Sequence, residues 1–338
     1  MDEVGPPEPN RLNLERLPDL APPPGPALPT APPASRLYGR AALLFVVTFF
    51  TTTTLGAAWH FFTRTDISTD LLPWLTPRMI RDVWSHWDLL RPGLEFSLAA
   101  MFILLAHEMG HYLACRRYRL PATPPFFLPA PFGLGTLGAF IRIKAPLRDK
   151  RELFDVGAAG PFAGFLALLP FLVVGIARST PAPLPAVDRS VAVAEIWLPG
   201  SGLLWAGVTR ALHGALPAGS ILNLHPFALA AWLGLFATML NLLPLGQLDG
   251  GHILYAALGP LQRRLAWPLW IGLCALGIWW PGFLLWSAIT LAVGVRHPPV
   301  VDESAPLGTM RTLLALASLL LFVACFMPVP LRVAFLAH

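Results

Sequence analysis

Charged residues are scarce in this chain of 338 residues. Lysine, arginine, aspartate and glutamate together make up 13% of the sequence, whereas soluble globular proteins carry about 25%. The composition therefore argues against a water-soluble globular protein. Several uncharged stretches exceed the roughly 18–20 residues that a helix needs to cross a bilayer. These stretches indicate an integral, multi-pass membrane protein that resides in a lipid bilayer.

Cysteine is also rare, and the three cysteines, Cys115, Cys274 and Cys325, lie in or beside apolar stretches. Their odd number and wide spacing exclude a disulfide framework and a CxxC metal site. The chain has 24 basic and 19 acidic residues, but this excess does not indicate binding to nucleic acid. Most of the basic residues are arginines between apolar runs, as expected for loops at a membrane face. We therefore expect no nucleic-acid partner.

Uncharged or nearly uncharged runs predict six to seven transmembrane helices and an all-α polytopic membrane protein. The runs cover residues 41–62, 93–115, 156–177, 226–248, 265–295 and 312–331. The run 265–295 contains Trp-Trp-Pro-Gly at 279–282, which predicts a tight turn between two short helices. Residues 1–36 are rich in proline, which favours a disordered cytoplasmic tail.

The segment 116–152 carries eight basic residues against two acidic ones, so it is expected on the cytoplasmic side. Within it, residues 120–146 are apolar but too rich in proline and glycine for a helix, and the end of this stretch alternates as a strand does. Non-helical apolar backbone beside a membrane is tolerated where protein buries it or where it lines a cavity. We therefore expect a short membrane-associated β element after the second span.

The second span contains the sequence His107-Glu108-Met109-Gly110-His111. Residues at positions i and i+4 of a helix lie on one face, so both imidazoles can bind one metal ion. Glu108, beside the first histidine, can reach a water molecule on that metal. Three ionisable groups within a membrane helix cost several kcal/mol for each central charge, on the order of 2.5–3.5, which favours a functional role over a purely structural one.

A catalytic zinc site usually has three protein ligands, and Asp249 is the candidate for the third. No other acidic residue lies between 196 and 301, and Asp249 ends an uncharged run. It is expected near the cytoplasmic end of its span, at a depth similar to that of His107. Two alternatives for the third ligand remain at this point. One is His252, and the other is Cys115, which continues the i+4 series of the two histidines.

Four motifs together resemble the site-2 proteases, which are zinc intramembrane metalloproteases. They are HEMGH at 107–111, GTLGAF at 135–140, FDVGAAGPFAG at 154–164 and NLLPLGQLDGGH at 241–252. The resemblance implies one Zn²⁺ per chain with His107, His111 and Asp249 as ligands and Glu108 as catalytic base. It also implies that Asn241 and Pro244 lie beside the substrate. No segment is long enough for the PDZ domain of many bacterial members, so the layout is closest to the PDZ-less branch.

The expected function is therefore regulated intramembrane proteolysis of single-span transmembrane proteins, at a site toward the cytoplasmic side of a bacterial inner (plasma) membrane. Gly135 and Gly138 would let an unwound substrate approach the β element closely, or they are only turn glycines.

The expected domain organisation of the chain is a tail at 1–36, a first helix and far-side loop at 37–92, a catalytic core at 93–260 and accessory helices at 261–338. A membrane metal transporter and an inactive substrate-binding scaffold are the alternatives from other classes.

Overall fold

The computed structural model describes residues 34–62, 75–183, 194–217 and 219–336. The expected disordered tail lies almost entirely outside these residues. Over the described residues the chain forms the following helices: α1 (Ala34–Phe62), α2 (Pro77–Ser85), α3 (Trp87–Arg117), α4 (Lys150–Arg178), α5 (Leu203–His213), α6 (Pro226–Asn241), α7 (Asp249–Leu258), α8 (Leu261–Leu276), α9 (Gly282–Val293) and α10 (Thr309–Cys325). The strands are β1 (Phe126–Pro129), β2 (Thr136–Phe140), β3 (Thr180–Pro183), β4 (Ala194–Pro199), β5 (Ser220–Asn223) and β6 (Leu331–Leu336).

Three helices of the described chain are long and apolar enough to cross a membrane: residues 35–60 of α1, and the whole of α3 and α4. Helices α6, α9 and α10 are apolar but contain 16, 12 and 17 residues. At 1.5 Å per residue, α6 is about 24 Å long, shorter than the roughly 30 Å of a bilayer core. The protein is thus a mostly helical membrane protein, and a total of six to seven spans stays a prediction.

Helix α6 ends earlier than the uncharged run 226–248 predicted. The helix stops at Asn241, and the next seven residues form an irregular turn. Pro244 lacks a backbone N–H, and Gly246 has a φ of +53°, so neither residue continues a helix. Asp249 therefore begins a separate helix, α7, and does not end a membrane span as expected.

The C-terminal part also differs from the predicted spans. The turn at 279–282 is confirmed, because α8 ends at Leu276 and α9 begins at Gly282. Helix α10 ends at Cys325, six residues before the end of the predicted span, and Leu331–Leu336 forms β6. Strand β6 pairs antiparallel with β4, and β3 pairs antiparallel with β5. Neither pair was predicted, because these strands are short and their partners are distant in the sequence.

The β element predicted after the second span is an antiparallel hairpin of β1 and β2. It lies along α1, where the rings of Phe45 and Phe127 meet edge to face at 5.2 Å. Further along the same helix, the Thr51 hydroxyl donates a hydrogen bond to the Gly135 carbonyl at 2.7 Å. The indole N–H of Trp59 donates to the Gly133 carbonyl at 3.1 Å. The hairpin therefore follows α1 for 14 residues, about 21 Å of helix.

Helix α3 packs against α1, α4 and α6, and α4 also packs against α7. Small and polar residues bring α1 and α3 together: the Thr53 hydroxyl donates to Ser97 Oγ at 2.8 Å. A Cβ atom at Gly93 would lie 2.2 Å from the Thr53 carbonyl oxygen. Close backbone approach through small residues is typical of helix packing in membranes. This packing fixes the helix that carries the HExxH sequence.

Candidate active site

Helix α3 brings His107, Glu108 and His111 into the protein interior. The three side chains are at most 8% exposed. Because the two histidines are four residues apart, their rings lie on one helix face with their centroids 4.9 Å apart. Their Nε2 atoms are 3.1 Å apart. The i, i+4 spacing predicted that both imidazoles lie on one face of the helix, and they do so in the fold.

Asp249, the first residue of α7, reaches the same point from another helix. Its Oδ2 atom lies 3.3 Å from Nε2 of His107 and 3.3 Å from Nε2 of His111. Ligands bound to zinc at 2.0–2.1 Å in a tetrahedron lie about 3.3 Å from one another. The spacing of the three donor atoms, and their nitrogen and oxygen chemistry, therefore fit one zinc ion. Within the described part of the chain, these three residues form the only such group.

The first turn of α7 can approach the end of α6 only because two glycines follow Asp249. A Cβ atom at Gly250 would lie 2.0 Å from the Leu242 carbonyl oxygen, and one at Gly251 would lie 2.4 Å from the Gly246 carbonyl oxygen. The backbone of the turn thus occupies the space that side chains would need. The position of Asp249 at a helix N-terminus also favours its negative charge. The Asp-Gly-Gly sequence therefore determines where the carboxylate lies.

A hydrogen bond to the backbone of α4 fixes the orientation of the His111 ring. Its Nδ1 atom lies 2.7 Å from the Val156 carbonyl oxygen, so the protonated Nδ1 donates and Nε2 is left for a metal ion. This is the usual arrangement for histidine ligands, whose other ring nitrogen donates to a carbonyl or a carboxylate. Sequence reasoning missed Val156, because a backbone carbonyl leaves no signature in the residue type.

Glycines of α4 make room for the two histidines. A Cβ atom at Gly160 would lie 2.1 Å from Nε2 of His111, and one at Gly164 would lie 3.0 Å from Cβ of His107. A Cβ at Gly157 would lie 2.7 Å from Cβ of His252. Close helix packing through small residues therefore occurs directly against the candidate site.

Replacing Gly160 by alanine is expected to displace His111 and to lower the affinity for zinc at least tenfold, because the new methyl group would occupy the space of the imidazole. Chelator competition on the purified protein measures this affinity. Gly272→Ala is the matched control, since a Cβ there meets nothing within 4 Å in helix α8. Equal zinc affinity of the two variants would contradict the close fit of Gly160 to His111.

Glu108 points to the end of the hairpin, where the backbone of Ile141, the residue after β2, interacts with its carboxylate. Asn241, the last residue of α6, has its Nδ2 atom 3.2 Å from Nε2 of His107. Both residues therefore border the three-residue group, as expected for a base and a substrate-binding amide. Pro244 lies half-buried in the turn that follows α6.

The two glycines expected beside the substrate differ. Gly135 is buried, has a φ of +83°, and packs so closely on α1 that a Cβ would lie 2.5 Å from the Thr51 carbonyl carbon. It is a glycine required by hairpin packing. Gly138, with a φ of +101°, has nothing within 4 Å of a built Cβ. Only Gly138 leaves open space beside the strand.

The alternative ligands lie elsewhere. His252 Nδ1 is 2.7 Å from Nε2 of His297, and His252 is absent from the group that could hold a metal. Cys115 is buried in an apolar cluster with Leu120 and Val156. Of the three candidates for the third position, the fold brings only Asp249 to the histidines.

Comparison with known proteins identifies several relatives of this chain. The chain is 33% identical over 302 residues to "Probable zinc metalloprotease EGY1, chloroplastic" of Oryza sativa subsp. japonica, covering 86% of this chain and 50% of that protein. It is 34% identical over 253 residues to the EGY1 protein of Arabidopsis thaliana, covering 72% and 45%. For the EGY2 protein of Arabidopsis thaliana the identity is 33% over 187 residues, covering 54% and 32%. No solved structure matches the chain.

The chain spans about half the length of the two EGY1 proteins. These relatives are chloroplastic proteins of plants, so they do not support the bacterial plasma membrane expected from the sequence. The model of Peptidase family M50 matches residues 95–268, which contain all of the motifs and all of the candidate site residues described above. The chain therefore belongs to Peptidase family M50, the site-2 protease family.

Proposed function

We propose that this protein is a zinc-dependent intramembrane endopeptidase that cleaves transmembrane segments of membrane proteins. The observation that carries the proposal is that ligand atoms of His107, His111 and Asp249 lie within 4.8 Å of one another. The two histidines are buried beside Glu108 in the long apolar helix α3, and Asp249 reaches them from the start of α7. The relatives that are named probable zinc metalloproteases support the same metal and the same activity. We assign one Zn²⁺ per chain to the three residues.

Bound zinc supplies Lewis acidity, which makes water acidic enough to lose a proton near neutral pH and polarises the scissile carbonyl. Glu108 then takes the proton from the attacking water and delivers it to the leaving amine nitrogen. The amide of Asn241, 3.2 Å from His107 Nε2, is near enough to donate a hydrogen bond to the substrate carbonyl. The Val156 carbonyl keeps the proton of His111 on Nδ1, so that Nε2 stays available for the metal.

A substrate helix hides its peptide bonds, so it must unwind before hydrolysis. Strand β2 offers an edge for the unwound segment, because its other edge is paired with β1, which contacts α1. Along this edge Leu137 and Phe140 are exposed, and Gly138 leaves open space. Addition of an extended peptide to such an edge is a common mode of recognition. We infer that single-span membrane proteins are the substrates, with Gly138 and Pro244 beside the peptide.

The arginine-rich segment 116–152 supports an orientation in which the site opens toward the cytoplasmic side. In this arrangement α6, α8, α9 and α10 add to the three long spans, which gives the six to seven predicted from the sequence. The catalytic core at 93–260 almost coincides with the residues that the family model matches, 95–268.

The proposal is tested with purified protein in liposomes that contain a single-span reporter. We expect about one zinc ion per chain by elemental analysis, and fragments cut within the reporter's span by mass spectrometry. Removal of zinc with a chelator should abolish cleavage, and added zinc should restore it. Zinc entering the liposomes without cleavage would indicate a transporter, and bound zinc without cleavage would indicate an inactive scaffold.

A further inference from the structure

Residues 294–308, which connect α9 to α10, lie against the elements that carry the candidate site. At one end, the Gly246 N–H in the turn before Asp249 donates to the Val295 carbonyl at 2.8 Å. At the other end, the Asp302 N–H donates to the Arg148 carbonyl at 2.7 Å, just before α4. Asp302 and Asp149, the N-cap residue of α4, also form a β-bridge. The connection therefore joins the two helices, α4 and α7, that support the metal-binding residues.

His297 is the central contact of this connection. It is only 3% exposed, and its ring stacks on Tyr255 of α7 with the centroids 4.5 Å apart. The hydroxyl of Tyr255 in turn donates a hydrogen bond to Glu303 in the same connection. The backbone N–H of His297 donates to Gln262 of α8 at 3.3 Å. His297 is thus held on both its ring and its backbone.

The free ring nitrogen of His297 contacts a residue one turn beyond Asp249. Its Nε2 atom lies 2.7 Å from Nδ1 of His252, and its Nδ1 atom is within hydrogen-bonding distance of the Pro298 carbonyl. Burial lowers the pKa of His297, so its ring is neutral near pH 7. The proton on Nδ1 is donated to Pro298, and Nε2 accepts a hydrogen bond from His252.

We propose that His297 is a positioning residue of the metal site, acting through its hydrogen bond to His252 to fix the first turn of α7 and with it the Asp249 carboxylate. This inference rests on the proposed function. His252 is fixed on its other side by Gly157, where α4 leaves no space for a Cβ. The first turn of α7 is therefore held between α4 and the 294–308 connection.

The position of that turn matters because Asp249 Oδ2 is equally distant, at 3.3 Å, from the two histidine nitrogens. A small rotation of α7 would move the oxygen away from one of them. Loss of a direct hydrogen-bond partner of a metal ligand typically weakens metal binding or activity 10–100-fold, and His297 acts one residue further out, through His252, so the lower end of that range is expected. The segment after residue 260 then helps to position the metal ligand Asp249, in contrast to the accessory role expected from the sequence.

Two variants separate the hydrogen bond from packing. His297→Phe keeps a ring against Tyr255 but removes the hydrogen bond, and His297→Gln keeps an amide that can accept from His252. For His297→Phe we expect at least tenfold weaker zinc binding by chelator competition and a lower kcat with little change in KM. In metal-free protein, the amides at the start of α7 should exchange hydrogen faster in His297→Phe than in wild type. His297→Gln should stay within about threefold of wild type in each measurement.

Val301→Ala is the control, because Val301 is in the same connection and is 77% exposed. It should match wild type. The inference is overturned if His297→Phe binds zinc within threefold of wild type, or if His297→Gln is impaired as much as His297→Phe, since either result leaves the hydrogen bond without a role. A wild-type protein that neither binds zinc nor cleaves the reporter would instead overturn the proposed function itself.

Discussion

Replacing Glu108 by glutamine is expected to reduce peptide hydrolysis by about 10³-fold or more while the protein keeps its full zinc content. Glutamine has nearly the same shape as glutamate, so the packing around this buried residue is preserved. It cannot take a proton from water, and general acid–base catalysis contributes roughly 10²–10⁴-fold. Zinc should stay bound because the three donor atoms that fit the metal belong to His107, His111 and Asp249. The measurement is a single-span reporter assay together with elemental analysis of the same preparation.

Glu95→Gln is the matched control for this prediction. Glu95 lies on the same helix, about three and a half turns before Glu108, where it forms an ion pair with Arg91 at 3.0 Å. The control removes a carboxylate from α3 without touching the candidate site, so hydrolysis should stay near the wild-type rate. If Glu108→Gln lost its zinc while wild type held one ion per chain, Glu108 would be a metal ligand and its assignment as the base would be wrong.

Local spacing in the sequence was enough to predict the centre of the site. The i, i+4 relation of His107 and His111 depends only on helix geometry, and the helix itself follows from an apolar run. Asp249 was found because it is the only acidic residue between 196 and 301. The hairpin of β1 and β2 followed from proline, glycine and alternation in residues 120–146. The histidine pair and the hairpin each depended on one short stretch of sequence, whereas Asp249 was found from the absence of other acidic residues over a long range.

Contacts between distant segments could not be predicted in this way. The hydrogen bond between His252 and His297 joins residues 45 positions apart, and β4 pairs with a strand more than 130 residues later in the chain. No periodicity connects such segments. The end of α6 at Asn241 was missed for a different reason: an uncharged run reports hydrophobicity but not the backbone geometry of Pro244 and Gly246. The glycines of α4 belong to a motif that the sequence shows, but the histidines that they pack against were visible only in the fold.

The largest loss of metal is expected from Asp249→Ala. Its carboxylate supplies the only oxygen within 3.3 Å of both imidazole nitrogens among the described contacts, and an alanine leaves two histidines alone in a buried site. We expect the affinity for zinc to fall at least about 100-fold, beyond the range that loss of an outer partner causes. Hydrolysis should fall with it, because the metal and the base act on the same water.

His252→Ala is the informative comparison, because His252 is three residues further along α7 and is the other candidate ligand. It bonds His297 rather than the metal-binding group, so its removal should weaken zinc binding by about tenfold through the position of α7 alone. Chelator competition on both variants, with Asp249→Asn as a further variant that keeps the side-chain shape, gives the ranking. Asp249→Asn should also lose zinc, because a neutral amide is a much weaker ligand than a carboxylate. If His252→Ala lost more zinc than Asp249→Ala, His252 would be the third ligand and the fold around α7 would differ from the one described.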